Sequence, residues 1–272
     1  ELGVQIEEVK KGLKSKISGL KYKYWQELFS NLDRITSRLT SASRNTMLEK
    51  MNKSCNVDFS IDNAYAIVIW VIKNANKYLN SQVIEVFRDL TEPECVKNYK
   101  SNQKTWEKNG WRYNKNDHSH YALDYRIITN KWTAIFNGGF SSWDYQNGLS
   151  KKCHEFIGDI ITVANNLDFE CNDSSKNREW SSGQKQNFYT EKGEILVEVK
   201  AFRNGNLHLK FNQNFIKTLN IEASRLLGWI KTPQQAAEEM GIDIAFAKSK
   251  FGSNFLIGPN MCHKLLPQRE AV

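Results

Sequence analysis

The clearest local pattern in the sequence is EILVEVKAFRNGNLHLKF, residues 194–211. Apolar and polar residues alternate on both sides of Asn204-Gly205, a pattern typical of a β-hairpin. A two-residue turn would place Val199 and Leu209 on opposite faces, whereas a three-residue turn, residues 203–205, with a left-handed Gly205 aligns them. Because a buried face fixes the register, the sequence predicts the three-residue turn, with Val199 opposite Leu209.

The polar face of this hairpin is a candidate binding surface. In the predicted register Lys200 lies opposite His208, and positive charge attracts a phosphate backbone. His208 is also a candidate catalytic residue, although a histidine on a strand serves equally well as a cross-strand hydrogen-bonding group. The candidate nucleic-acid-binding residues of this face and of the turn are Lys200, Arg203, Asn204 and Lys210.

Helical patterns lie before and after the hairpin. In the first fifty residues apolar side chains recur every three or four positions, which predicts a long helix or a helical hairpin. Asp62 is predicted to cap a second helix reaching Tyr78, and residues 81–90 to form a third. After the hairpin, Asn212 is predicted to cap a helix, and Thr232-Pro233 to begin another that ends at Gly241.

The segments between these elements predict the rest of the architecture. We expect short strands at residues 125–128 and 132–136 that are joined by a turn at residues 129–131, a helix from about residue 147 to 165, and a mobile, strand-free loop at residues 168–186. The predicted class is α+β: a helical N-terminal arm packed on a mixed domain that has a small antiparallel sheet and flanking helices. The predicted domains are residues 1–54 (arm), 55–232 (core domain) and 233–272 (short helix and tail).

Positive charge and aromatic rings are concentrated in residues 97–132. The chain has 38 Lys and Arg against 30 Asp and Glu, a formal charge of +8, and this segment has eight against three. Cations follow phosphates and rings stack on bases, so the segment is a candidate nucleic-acid surface. The alternative is a core of rings with a solvated lysine face. The candidate residues are Lys104, Trp106, Lys108, Trp111, Arg112, Arg126, Lys131 and Trp132.

Base excision is the reaction that the sequence favours. A DNA glycosylase flips a nucleotide, stacks it on an aromatic ring and uses a carboxylate to activate water or stabilise the sugar cation. Asp144 lies between two aromatic residues near a Gly-Gly pair, although it serves equally well as a turn residue before the next helix. The candidate catalytic residues are Asp144, Asp124 and His208.

Other chemistries have less support. A cluster formed by Asp117, His118, His120 and Asp124 has metal-ligand character, but no second Cys/His cluster supplies further ligands, so no metal is expected. A glycine-rich dinucleotide turn, a phosphate loop and an Asp-Pro-Pro-Tyr tetrapeptide are all missing, which argues against a methyltransferase or an ATPase. No cofactor is therefore expected.

The same sequence argues for a cytoplasmic protein without a membrane partner. Its longest apolar run, residues 64–72, is less than half a membrane span. No signal peptide is recognisable, and five scattered cysteines without a Cys-x-x-Cys pair favour a reducing compartment. The oligomeric state is left open.

Four segments carry a resemblance to a known family. They are VIEVFRDL (83–90), YKSNQKTWEKNGW (99–111), GEILVEVKAFRNGNLHLKF (193–211) and ASRLLGW (223–229). The most specific is Phe-x-Asn-Gly-Asn-x-His-Leu-x-Phe at residues 202–211. Over residues 55–232 the chain resembles the domain of unknown function 4942 family, which occurs in phages, prophages and mobile elements, sometimes joined to DNA methyltransferase-like domains. A longer insert at residues 116–123 departs from the family pattern.

The resemblance implies phage or foreign DNA as the partner and assigns no reaction to individual residues. The leading hypothesis is a DNA-binding protein of phage-defence or mobile-element type that excises a flipped, modified base. The first alternative is a non-catalytic DNA-binding or adaptor module working with a separate methyltransferase. The second is a metal-dependent nuclease using residues 117–124.

Overall fold

A computed structural model describes residues 2–54, 58–91, 123–131, 133–136, 144–252 and Leu256. Its helices and antiparallel strands confirm the predicted α+β class. The described chain forms two compact units, which divide inside one helix, between Tyr78 and Leu79. The domain boundaries after residues 54 and 232 stay predictions. In this described part, no helix combines the length and the apolar character needed to cross a bilayer.

The first unit is helical, as predicted for the arm. Helices α1 (Leu2–Ser30), α2 (Asp33–Thr36) and α3 (Ser41–Ser54) are followed by α4 (Ile61–Leu90), which continues into the second unit. The core of the first unit buries Leu39, between α2 and α3, and large side chains from all four helices, among them Trp25, Phe29, Ile35, Met47, Met51 and Val71.

Helix α4 corrects two predictions. The two helices expected between residues 62 and 90 are one, because buried Ala75 and Leu79 carry the apolar stripe across the polar stretch that suggested a break. The cap is Ser60, whose Oγ accepts from the backbone N–H of Asn63 at 3.3 Å. Asp62 lies inside the first turn.

The second unit is built on a four-stranded antiparallel sheet in the order β1-β6-β5-β4. Its strands are β1 (Arg126–Asn130), β4 (Lys185–Tyr189), β5 (Ile195–Ala201) and β6 (Asn206–Phe211). Strands β2 (Tyr145–Gln146) and β3 (Leu149–Ser150) form a separate hairpin. The predicted three-residue turn is confirmed, since Val199 pairs with Leu209 and Gly205 has φ +87°.

Residues 125–136 do not form the predicted local hairpin. β1 continues through Thr129, in the expected turn, and pairs with β6, while Ile135 bridges to Leu149. Thr129 is β-branched and 1% exposed, so it fits the buried face of a strand better than a turn. Long-range pairing that extends the buried face outweighs the local turn signal.

The predicted strand-free loop at residues 168–186 is also corrected. It contains a 3₁₀ helix (Ser175–Asn177), and its last residues enter β4. Buried Trp180 anchors it, with Nε1–H donating to the carbonyl of Ser175 at 3.0 Å and the ring stacking on Phe188. A single aromatic side chain thus orders a stretch whose composition is polar.

The remaining helices are α5 (Lys151–Asn166), α6 (Gln213–Leu226), α7 (Pro233–Met240) and α8 (Ile244–Lys250). α5 begins later than predicted because Asn147 and Gly148, both with positive φ, form the β2–β3 turn. The predicted caps at Asn212 and Thr232 and the end at Gly241 are confirmed. Phe215 of α6 contacts Phe211 of β6, which joins helix and sheet.

Candidate nucleic-acid interface

One side of the four-stranded sheet, here called the outer face, is polar and charged. Side chains alternate between the two faces of a strand, so the observed register fixes which residues share it. Strand β1 contributes Arg126, Ile128 and Asn130 to the outer face, and β6 contributes Asn206, His208 and Lys210. Strand β5 and the residue after it contribute Glu198, Lys200 and Phe202, and β4 contributes Lys185 and Asn187.

The charge of the outer face is strongly one-sided, with four Lys and Arg residues against Glu198. Lys185 lies 3.6 Å from that carboxylate. Arg126, Lys200 and Lys210 form no ion pair with any residue that the structure describes. Three cations therefore remain to attract an anion. A shallow depression of about 360 Å³ lies among them, lined by Arg126, Ile127, Ile128, Glu198, Lys200, His208, Leu209 and Lys210.

Two rings lie side by side on this face. The imidazole of His208 and the ring of Phe202 are 4.6 Å apart between centroids. Burial, and to a smaller degree the charge of Lys200, lower the pKa of His208 below its ordinary value of 6.5. The imidazole is therefore mainly neutral at neutral pH, and the two rings, whose planes are tilted by 50°, form an uncharged patch among the cations of this face.

The turn at residues 203–205 is held against the end of β1. The backbone N–H of Lys131 donates to the carbonyl of Gly205 at 2.8 Å, and Asn130 Nδ2 donates to Asn206 Oδ1 at 2.9 Å. A Cβ at position 205 would lie 3.2 Å from both Asn130 Oδ1 and the carbonyl oxygen of Lys131. Arg203 and Asn204 are exposed at the tip, so the predicted residues of the turn are accessible.

Lys131 has a different environment from the other predicted cations. Its side chain is 19% exposed, and its Nζ lies 3.7 Å from Asp89 and 4.3 Å from the centre of the Phe156 ring. Its charge is already compensated within the protein. Arg126, by contrast, is exposed and lies over the ring of Tyr125 at 5.4 Å.

The three candidate catalytic residues occupy different elements. Asp124 lies two residues before β1, and its Oδ1 accepts from the backbone N–H of Tyr125 at 2.7 Å. Asp144 precedes β2 in the two-stranded hairpin, whereas His208 lies in the four-stranded sheet. A catalytic role for each of these residues stays a prediction.

Several predicted residues fall outside the described part of the chain: Lys104, Trp106, Lys108, Trp111, Arg112, Trp132, and also Asp117, His118 and His120. Within the described part, no group of three His, Cys, Asp or Glu side chains is placed to hold a metal ion.

A buried histidine close to β2, His154, is held by hydrogen bonds to other parts of the second unit. His154 Nε2 lies 2.9 Å from the carbonyl of Gln146, to which it must donate, so Nδ1 accepts from the hydroxyl of Ser175 at 2.8 Å. Burial lowers its pKa and raises the pKa of the neighbouring Cys153 thiol, which is fully buried. These groups tie α5 to the segment before β4 and are not accessible to a substrate.

Besides an isoleucine and three asparagines, the outer face contains three residues that are not among the candidate residues: Lys185, Glu198 and Phe202. The turn register that pairs Ala201 with Leu207 also pairs Phe202 with Asn206, so the sequence contained the signal for Phe202. Glu198 lies opposite Lys210 by the same rule. Lys185 has no such signal, because the polar segment before it indicates a loop rather than a strand.

Comparison with known families identifies the family of this chain. The family described as Domain of unknown function (DUF4942) matches residues 17–229, so the chain belongs to this family, as the four segments predicted. The match begins inside α1 and ends before α7, and it includes every residue of the outer face. Searches of curated proteins and of solved structures gave no significant match.

Proposed function

We propose that the protein binds single-stranded DNA through the outer face. The observation that carries this proposal is the Phe202–His208 ring pair, on the same face as Arg126, Lys200 and Lys210, which form no ion pair with any described residue. Proteins that bind single strands combine a basic track for phosphates with rings on which bases stack, worth about 1–3 kcal/mol per base. The resemblance to a family of phages and mobile elements supports phage or foreign DNA as the source.

The width of the sheet favours a single strand over a duplex. Neighbouring strands are about 4.8 Å apart, so four strands span roughly 14 Å before side chains are counted. The major groove of B-form DNA is about 12 Å wide and admits a helix or a two-stranded ribbon. The four-stranded outer face is too wide to enter that groove. A single strand of DNA, by contrast, can lie across the outer face with its bases on the two rings.

The proposal is tested by fluorescence anisotropy with labelled 15-nucleotide oligothymidine and a 15-base-pair duplex. We expect tighter binding of the single strand, with affinity that falls as salt rises. The variant Arg126→Ala/Lys200→Ala/Lys210→Ala should lower the slope of log affinity against log salt by about 0.7 for each phosphate that the protein no longer neutralises.

The matched control is Lys151→Ala/Lys152→Ala/Lys192→Ala, which removes the same charge from exposed positions outside this face. Its slope should stay close to that of the unchanged protein. Equal losses in both variants, or tighter binding of the duplex, would overturn the proposal.

Base excision is the second candidate, and Glu198 is the residue that favours it. It is the sole carboxylate among the residues lining the depression that also contains His208. A carboxylate there has the charge needed to stabilise a sugar cation beside a stacked base. This arrangement makes Glu198 a stronger candidate than Asp144 or Asp124.

Excision is tested by incubating the protein with oligonucleotides that contain unmodified or modified bases and then heating in alkali, which cleaves at abasic sites. We expect cleavage with the unchanged protein and none with Glu198→Gln, whose DNA affinity should be retained. Retained DNA binding without cleavage on every substrate would instead support the non-catalytic module.

A further inference from the structure

The first half of α1 has an apolar stripe that the first unit leaves exposed. Between 49% and 61% of the surface of each of five side chains is accessible: Val9, Leu13, Ile17, Leu20 and Tyr24. With 3.6 residues per turn, these five positions fall within a sector of about 80° and extend for about 22 Å. Large apolar residues exposed in a continuous row indicate an interaction surface.

The stripe lies on the side of α1 opposite its own core. Trp25 and Phe29, which are 1% exposed, project about 120° and 160° away from the middle of the stripe and pack inside the first unit. Apart from Tyr24, whose ring centroid lies 5.4 Å from that of Phe59, the exposed row is therefore not the face with which α1 joins the core. It needs another explanation, such as a partner.

Lysines border the stripe on both sides. Lys16 and Lys23 follow one edge, and Lys10, Lys14 and Lys21 follow the other, at the helical positions that flank a two-helix seam. Lys10 is paired with Glu7 and Lys21 with Asp58, whereas the other three lysines form no ion pair with any residue that the structure describes. These flanking positions set the choice of partner in paired helices through their charges. A second copy of α1 would bring lysines against lysines in either orientation, which disfavours self-association.

We propose that this stripe binds an amphipathic helix of a partner protein, in which Asp and Glu border the apolar seam. The width of the stripe supports a helix as the partner, since the seam between two paired helices is narrower than the apolar face of an ordinary amphipathic helix. The apolar row contributes burial, and Lys14, Lys16 and Lys23, on the two edges of the stripe, select an acidic partner. Binding of such a helix does not depend on the proposed binding of DNA.

The test uses the full chain and two designed peptides of 28 residues with the same Ile/Leu seam, bordered by Glu in one and by Lys in the other. We expect anisotropy to detect binding of the Glu peptide and not of the Lys peptide. The variant Leu13→Gln/Ile17→Gln, whose charge is unchanged, should bind the Glu peptide about tenfold more weakly or worse.

The control variant Ser15→Gln/Ser18→Gln changes exposed positions of α1 outside the stripe and should bind the Glu peptide normally. Thermal unfolding of both variants verifies that the fold is retained. Equal binding of the two peptides, or unchanged binding by Leu13→Gln/Ile17→Gln, would overturn the proposal. Dimerisation in sedimentation, or binding to anionic phosphatidylserine vesicles, that depends on Leu13 and Ile17 would assign the stripe to a second copy or a membrane and overturn it too.

Discussion

The inner face of the four-stranded sheet is apolar and buried, whereas the outer face carries four cations and one carboxylate. Both come from the same strands: in β6, Leu209 is 2% exposed while its neighbour Lys210 is exposed. The inner face stabilises the fold and fixes the register. That register then determines which charges and rings meet on the outer face. The binding surface is thus positioned by packing on the opposite side of the sheet.

The comparison predicts that substitutions at adjacent residues have very different effects on stability. Leu209→Ala should lower the free energy of unfolding by about 2–5 kcal/mol, because a buried side chain is removed and a cavity remains. Lys210→Ala should change it by less than about 0.5 kcal/mol. Urea unfolding of the two variants measures both values. Similar losses in the two would mean that the outer face also packs against the protein.

The turn between β5 and β6 gives a second prediction, with a smaller expected loss of stability. Gly205→Ala should destabilise the protein by about 1–3 kcal/mol, because the position has φ +87° and an added Cβ would press on Asn130 and Lys131. Gly193→Ala is the control, since its φ is +78° but a Cβ there meets no described atom within 4 Å. The difference in unfolding free energy between the variants reports the contact of the turn with β1. Equal losses would leave only backbone strain.

Two histidines, His208 on the outer face and the buried His154, make the stability of the protein depend on pH. Burial lowers the pKa of both His154 and His208 below 6.5, so the unfolded chain binds protons more readily than the folded protein. Their contribution is present above pH 6.5 and is lost as pH falls through each lowered pKa.

We expect stability to fall on acidification and His154→Gln to remove more of that fall than His208→Gln, because His154 is 3% exposed and hydrogen-bonded at both nitrogens. Thermal unfolding between pH 8 and pH 5 measures it. If His208→Gln removed the larger part, the outer face would have to be drier than the structure indicates.

The sequence predicted the fold best where one local pattern decided burial. The alternation at residues 194–211 determined the register, and the caps at Asn212 and Thr232 have a local chemical cause. It was wrong where contacts distant in sequence decide. β1 pairs with β6 across some 80 positions, and Trp180 orders a polar stretch by packing on Phe188.

The candidate site shows the same division. Lys200, His208 and Lys210 follow from the hairpin alone, whereas Lys185 joins the outer face only through the pairing of β4 with β5. Lys131 shows the converse, because a cation counted from the sequence is compensated by Asp89, more than forty residues away. Charge can be counted in a sequence, but its availability depends on tertiary contacts.

Photo-crosslinking tests directly whether single-stranded DNA binds on the outer face. Oligothymidine substituted with 5-iodouracil would be irradiated in complex with the protein, and the linked peptides identified by mass spectrometry. Binding on the outer face predicts crosslinks at Phe202 or His208, which should disappear in Phe202→Ala/His208→Ala while that variant remains folded. Crosslinks confined to residues outside this face, and unchanged in that double variant, would contradict it.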